Sequence, residues 1–105
     1  METIFSKIIN KDIPAKILYE DDLVIAFYDI NPKQPGHFLV VPKNYSKNLI
    51  DINDNDFIYL VSKAKELANN LIINNQAKGY KLQVNNEPCA GQEVFHTHIH
   101  IIPYK

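Results

Sequence analysis

The chain has 105 residues, 46% of them hydrophobic, and a net charge of −1 from 11 basic and 12 acidic side chains. That is the size of one globular domain spanning 1–105, and its balanced charge carries no footprint for nucleic acid or an anionic membrane. A lone cysteine, Cys89, excludes an internal disulfide and fits a reducing cytoplasm; no apolar run approaches the ~18 residues of a membrane span.

In chain order, "TIFSKIIN" at 3–10 offers Thr3 as an N-cap and places Ile4 with Ile8, and Phe5 with Ile9, at helical spacing. "KILYE" (16–20) and "LVIAFY" (23–28) are β-branched and aromatic, and Asp21-Asp22 between them reads as a hairpin turn. "NPKQPG" at 31–36 is a loop, because two prolines and a glycine interrupt any ladder. "HFLVVP" at 37–42 is the next strand. From Asp54 to about Asn75 the period changes. Phe57, Leu60, Val61, Ala64, Leu67, Ala68, Leu71 and Ile72 recur at three- and four-residue steps, predicting one long amphipathic helix with Gly79 as its stop. "YKLQVN" (80–85) alternates as a strand, "NEPCAGQ" loops, and "VFHTHIHII" (94–102) is the last strand. The class is α+β: a five-stranded antiparallel meander sheet, a short N-terminal helix and one long helix. A domain this small buries only about two-thirds of its unfolded-chain surface, so a homodimer that buries more is expected.

Three of the four histidines, His96, His98 and His100, occupy alternate positions of that last strand. On a strand they would share one face, about 6–7 Å apart, with Thr97, Ile99 and Ile101 opposite. Two such imidazoles joined by His37 could bind a metal ion, but imidazole ligands need second-shell partners that the sequence does not display. Just upstream, Ala90-Gly91-Gln92 is small and flexible, and Gly91 would let backbone N–H groups approach an anion. Neutral imidazole is a competent nucleophile near its usual pKa of about 6.5, so an anion-cradling turn beside aligned histidines points to phosphoryl or nucleotidyl transfer.

"GQEVFHTHIHIIP" resembles the signature of the histidine triad (HIT) family. "TIFSKIINKDIPAKILYEDD", "AFYDINPKQPGHFLVVPK" and "GYKLQVNNE" resemble its Hint-like branch, in the same order, from about Thr3 to Pro103. The resemblance implies a HIT-like fold whose dimer forms one continuous sheet, through the surface of the long helix and the strand after it. It implies a hydrolase acting at the α-phosphate of purine nucleotides, AMP or GMP derivatives, cleaving P–N bonds of phosphoramidates without a cofactor. His98 would be the nucleophile. His100 and His37 would orient the phosphate and nucleophile, and His96 would position His98 and the leaving group. Asn85 and Gln92 match positions near the scissile phosphate, and Asp29 matches the carboxylate on the ribose hydroxyls. Ile4, Phe5, Ile8, Ile13, Phe27, Ile30 and Leu39 match an apolar slot for the purine. Read without the family, Asp29 is equally a turn-initiating residue, and Phe5, Phe27 and Leu39 are equally ordinary core.

Departures from the family shape further expectations. Some relatives hold a structural zinc through positions that are Thr3, Ser6 and Tyr45 here, so no metal is expected. Glu93 stands where better-known Hint members have serine. If burial raised its pKa, it could donate a proton to the leaving group. Only Tyr104 and Lys105 follow Pro103, which implies looser selectivity for the leaving group. The alternatives to phosphoramidate cleavage are Fhit-like hydrolysis of dinucleoside polyphosphates, a nucleotide-binding module with incidental turnover, and a three-histidine metal site.

Overall fold

The computed structural model describes residues 2–105. Thr3 opens the first helix, α1 (Ile4–Ile9), through a capping box: its Oγ1 accepts from the Ser6 N–H, and Ser6 Oγ accepts from the Thr3 N–H. The hairpin follows as β1 (Ile17–Glu20) and β2 (Val24–Tyr28), then β3 (Phe38–Pro42), the long helix α2 (Asp54–Ile73), β4 (Gly79–Gln83) and β5 (Ile99–Tyr104). All five strands pair antiparallel in one sheet of order β1-β2-β3-β5-β4. The first three run as a meander, and β5 returns between β3 and the edge strand β4.

Strands β2 and β3 run apolar and buried from Val24 to Phe27 and from Phe38 to Pro42 because both faces of the sheet are covered. Their two-residue period sorts side chains cleanly. Val24, Ala26, Phe38, Val40, Ile99 and Ile101 meet Leu60, Ala64 and Ala68 of α2. Ile25, Phe27, Leu39 and Val41 turn the other way and meet Phe5 and Ile8 of α1. Tyr28 pairs with Phe38 across the ladder, so Asp29 and His37, one step beyond, fall side by side on the α1 face. His100, opposite Leu39, lies on that face as well.

Two expectations about element ends change. Helix α2 ends at Ile73, near the expected Asn75, but the residue that stops it is Asn75 and not Gly79. Asn75 adopts φ 58°, its N–H reaches the Ile72 carbonyl and the Gln76 N–H reaches Leu71, closing a Schellman motif. Gly79 instead begins β4. The last strand starts at Ile99, not Val94, and runs through Pro103 to Tyr104. Residues 94–96 bend and 94–98 stay unpaired in the sheet, because a side chain and a loop capture their backbone. The His98 ring takes the His96 carbonyl, and the Thr97 N–H donates to the Ser46 carbonyl. Only His100 of the three histidines is therefore a strand residue.

Candidate active site

The α1 face of the sheet opens into a cavity of about 510 Å³, walled by Asp29, His37, His98, His100, Gln83, Asn85 and the Ala90–Gly91 turn. A second, apolar cavity of about 350 Å³ adjoins it, and Ile4, Phe5, Asp29, Ile30 and Leu39 line both. Every residue expected in the apolar slot lines this second cavity: Ile4, Phe5, Ile8, Ile13, Phe27, Ile30 and Leu39. Phe5, Phe27 and Leu39 are core and slot floor at once, whereas Ile30, 87% exposed, forms its rim. Asp29 stands where the two cavities meet.

Hydrogen-bond directions fix the proton on each imidazole. His98 Nδ1 is 2.7 Å from the His96 carbonyl oxygen, which can only accept, so Nδ1 carries the proton and Nε2 keeps a lone pair. The His98 ring is held edge-on against Phe5, with centroids 4.9 Å apart. The Lys33 N–H donates to His37 Nδ1 at 3.1 Å, which leaves the His37 proton on Nε2. That proton is donated to His100 Nδ1 at 3.0 Å, with the Asp29 carboxylate 3.6 Å from the same Nε2. His100 therefore carries its own proton on Nε2, the one ring N–H of the cluster without a partner among the described residues. The cavity thus holds an imidazole lone pair on His98 beside an imidazole donor on His100, their rings 4.8 Å apart.

Burial is the main cause holding all four imidazoles below the ordinary histidine value of 6.5. His100 is pushed down to about 4, with repulsion from His98 and His37 adding to its burial. At neutral pH the whole set is uncharged, in accord with the proton positions above. Lys33 is then the one permanent cation among the described residues of the cavity wall, which also carries the Asp29 and Glu93 carboxylates.

Three expected site residues do other work. Gln92 is buried and faces away from the cavity. Its Oε1 accepts from Asn48 Nδ2 and the Glu87 N–H, while its Nε2 donates to the Lys47 and Val94 carbonyls. No hydrogen-bonding position is left for a phosphate. The His96 ring also turns away, between the Pro42 carbonyl, which accepts from Nε2, and the Thr3 hydroxyl, 3.3 Å from Nδ1. His96 positions His98 through its backbone oxygen and does not reach the cavity with its ring. Gly91, at φ 91°, shapes the wall, but the N–H groups of Ala90, Gly91 and Gln92 bond within the turn to Glu87 and Pro88. They do not form the expected anion cradle. Glu93 lines the cavity but is exposed, so the burial on which the proton-donor expectation depended is missing.

The sequence reading missed Gln83 and Lys33. Gln83 was legible: two residues before Asn85, it shares that residue's side of the chain. Lys33 was not, because its place follows from the path of the proline-rich loop.

Neither metal arrangement fits the residues present. Asp29, His37 and His100 bring their ligand atoms within 4.8 Å. A metal on His37 Nε2 would need the proton moved to Nδ1, where the Lys33 N–H already donates. Thr3, Ser6, Tyr45 and His96 do gather beneath α1. Two alcohols, a phenol and an imidazole with both nitrogens engaged lack the donors that hold zinc.

An α+β domain with neutral imidazoles around a cavity that adjoins an apolar slot has the form of a small-molecule-binding protein. The chain belongs to the HIT family: the HIT domain model matches residues 10–105. It is 58% identical over 103 residues to an uncharacterized 13.1 kDa HIT-like protein of Mesomycoplasma hyorhinis, covering 98% of this chain and 93% of that one. Among solved structures it is similar to a HIT family hydrolase from Clostridium thermocellum, at TM-score 0.86 and 37% identity over 99% of this chain and 91% of that one. A hypothetical histidine triad nucleotide-binding protein from Sulfolobus tokodaii matches at TM-score 0.92 and 33% identity, over 96% of this chain and 68% of that one.

Proposed function

We propose that the protein is a nucleotide-binding hydrolase that cleaves the P–N bond of purine nucleoside phosphoramidates through a nucleotidyl-His98 intermediate. The observation that carries this reading is the His98 ring. Its Nδ1 proton is committed to the His96 carbonyl, and its Nε2 lone pair stands in a cavity joined to an apolar slot. The slot has the surface to take a planar base, and Asp29 at the junction is where ribose hydroxyls would fall. The hydrolase and nucleotide-binding descriptions of the similar structures support the same class.

In this reading Nε2 of His98 attacks the α-phosphorus, and the P–N bond pair departs on nitrogen, which is protonated from the open mouth of the cavity. The attached imidazole becomes positively charged, and the His96 carbonyl already faces its Nδ1–H, so that hydrogen bond strengthens as charge develops. His100 offers its Nε2–H to a phosphoryl oxygen, with His37 holding that tautomer. Water then attacks phosphorus, the bond to Nε2 breaks, and a nucleoside monophosphate leaves. Glu93 favours a cationic amine over an anionic polyphosphate as leaving group, because its carboxylate lies on the cavity wall. As in the family, the working form is a homodimer.

Turnover of adenosine 5′-phosphoramidate and of a diadenosine polyphosphate, by wild type and His98→Ala, tests the reading. Phosphoramidate is expected to be the faster substrate, and the variant to lose roughly 10³-fold or more. Faster polyphosphate cleavage would keep His98 as nucleophile but reject the P–N assignment. AMP binding without turnover of either would leave a binding module.

A further inference from the structure

We infer that Gln83 is a positioning residue that turns the Asn85 carboxamide so that its N–H₂, not its oxygen, faces the phosphoryl group. The inference rests on the proposed chemistry for its substrate but on geometry for its mechanism. Gln83 ends β4 directly opposite His100 in the ladder, so the two side chains stand next to one another on the cavity face. Gln83 Nε2 donates to Asn85 Oδ1 at 3.2 Å. With its oxygen taken, Asn85 keeps both Nδ2 hydrogens, which make no hydrogen bond to any described residue. That nitrogen lies over Gly91, 3.8 Å from where a Cβ would stand, and both residues line the cavity. A carboxamide is ambivalent: turned one way it offers two donors to an anion, turned the other way it offers an acceptor that repels it. The cavity's imidazoles are neutral and supply one free ring N–H, on His100. The direction in which Asn85 faces therefore decides whether the phosphoryl oxygens meet a second fixed donor.

The same feature explains why this position carries glutamine. An apolar side chain in its place would leave the Asn85 amide free to rotate. A glutamate would accept from Asn85 Nδ2 and turn the oxygen toward the substrate.

The test is a double-mutant cycle of Gln83→Leu and Asn85→Ala, with Gln83→Glu as a third single variant. Each protein is read for kcat and KM on adenosine 5′-phosphoramidate, for AMP affinity by calorimetry and for Tm. Gln83→Leu is expected to lower kcat about 10-fold with little change in KM, and Gln83→Glu to lower it further, toward the loss in Asn85→Ala. On the Asn85→Ala background, Gln83→Leu is expected to add nothing, because the group it acts through is gone. Equal losses on both backgrounds, or none in either single variant, overturn the inference. A wild type that binds AMP without turnover rejects the proposed reaction instead. AMP affinity then carries the cycle: non-additive weakening upholds the role of Gln83 and additive weakening removes it. A wild type that neither turns over substrate nor binds AMP overturns both.

Discussion

Gln92 and Glu93 are adjacent in the chain and opposite in circumstance. Gln92 is a fastener: both ends of its amide are spent tying the 87–94 turn to Asn48 and Lys47. Gln92→Ala strands buried partners, so a loss of about 1–3 kcal/mol is expected from denaturant unfolding, larger than any effect on KM. A large rise in KM with unchanged stability would return Gln92 to the substrate. Glu93 is exposed at the cavity wall, and in the proposed reaction it acts by charge. Glu93→Lys is expected to raise KM for an AMP–lysine-type phosphoramidate and to lower it for a dinucleoside polyphosphate, an inversion that grows at low ionic strength. No change in the ratio of the two would remove Glu93 from leaving-group selection. His98 is the third residue whose surroundings dictate a measurable outcome. Burial keeps it neutral below its ordinary pKa of 6.5, so the acid limb of kcat/KM is expected below pH 6.5. A limb at or above 6.5 would contradict a buried nucleophile.

Helix α2 shows what periodicity conveys and what it does not. Its buried stripe, Leu60, Ala64 and Ala68, is the one that the three- and four-residue spacing predicts, and Leu60→Ala is expected to cost about 2–5 kcal/mol. Its end falls near the expected Asn75, but the stop was assigned to Gly79 because glycine is the usual left-handed cap, whereas here Asn75 takes φ 58°. Asn75→Val, which cannot adopt that backbone cheaply, is expected to lower stability by about 1–2 kcal/mol in urea unfolding, and Asn75→Gly to leave it nearly unchanged. Strand β5 was misread for a related reason. The alternation of Ile99 and Ile101 against His100 holds within the ladder, while the His96 ring, outside it, turns away from the cavity. Hydrogen bonds from a ring and from the 42–46 loop, which no periodicity reports, decide where pairing begins. Element type was thus legible in the sequence, whereas the apolar residues that line the second cavity were grouped only through the family resemblance. The occupancy of individual polar groups, which took Gln92 and the His96 ring out of the cavity and the N–H groups of the Gly91 turn away from an anion, was not legible.

At the scale of the whole molecule, the sheet works as a partition. Its α2 side is dry core, and its α1 side gathers four histidines that the fold keeps uncharged. That arrangement makes stability depend on pH with a definite sign. Above pH 6.5 the imidazoles are neutral in both the native and the unfolded chain, and contribute no slope. As pH falls through 6.5, the unfolded chain binds protons that the native chain, with all four values depressed, does not. Stability is therefore present above the unfolded value and is lost as pH falls, continuing to about 4 for His100. A second loss follows at lower pH. Burial alone would raise the Asp21 carboxyl, but hydrogen bonds from Tyr59 and Tyr19 hold it below its ordinary 3.8. Tm measured from pH 7.5 to 4.5 at fixed protein concentration is expected to decline, and His100→Gln is expected to decline less steeply over the same range. Parallel slopes for the two proteins would mean that His100 is not held neutral by the fold. The hydrogen bond in which His100 Nδ1 accepts from His37 Nε2 would then fall with it.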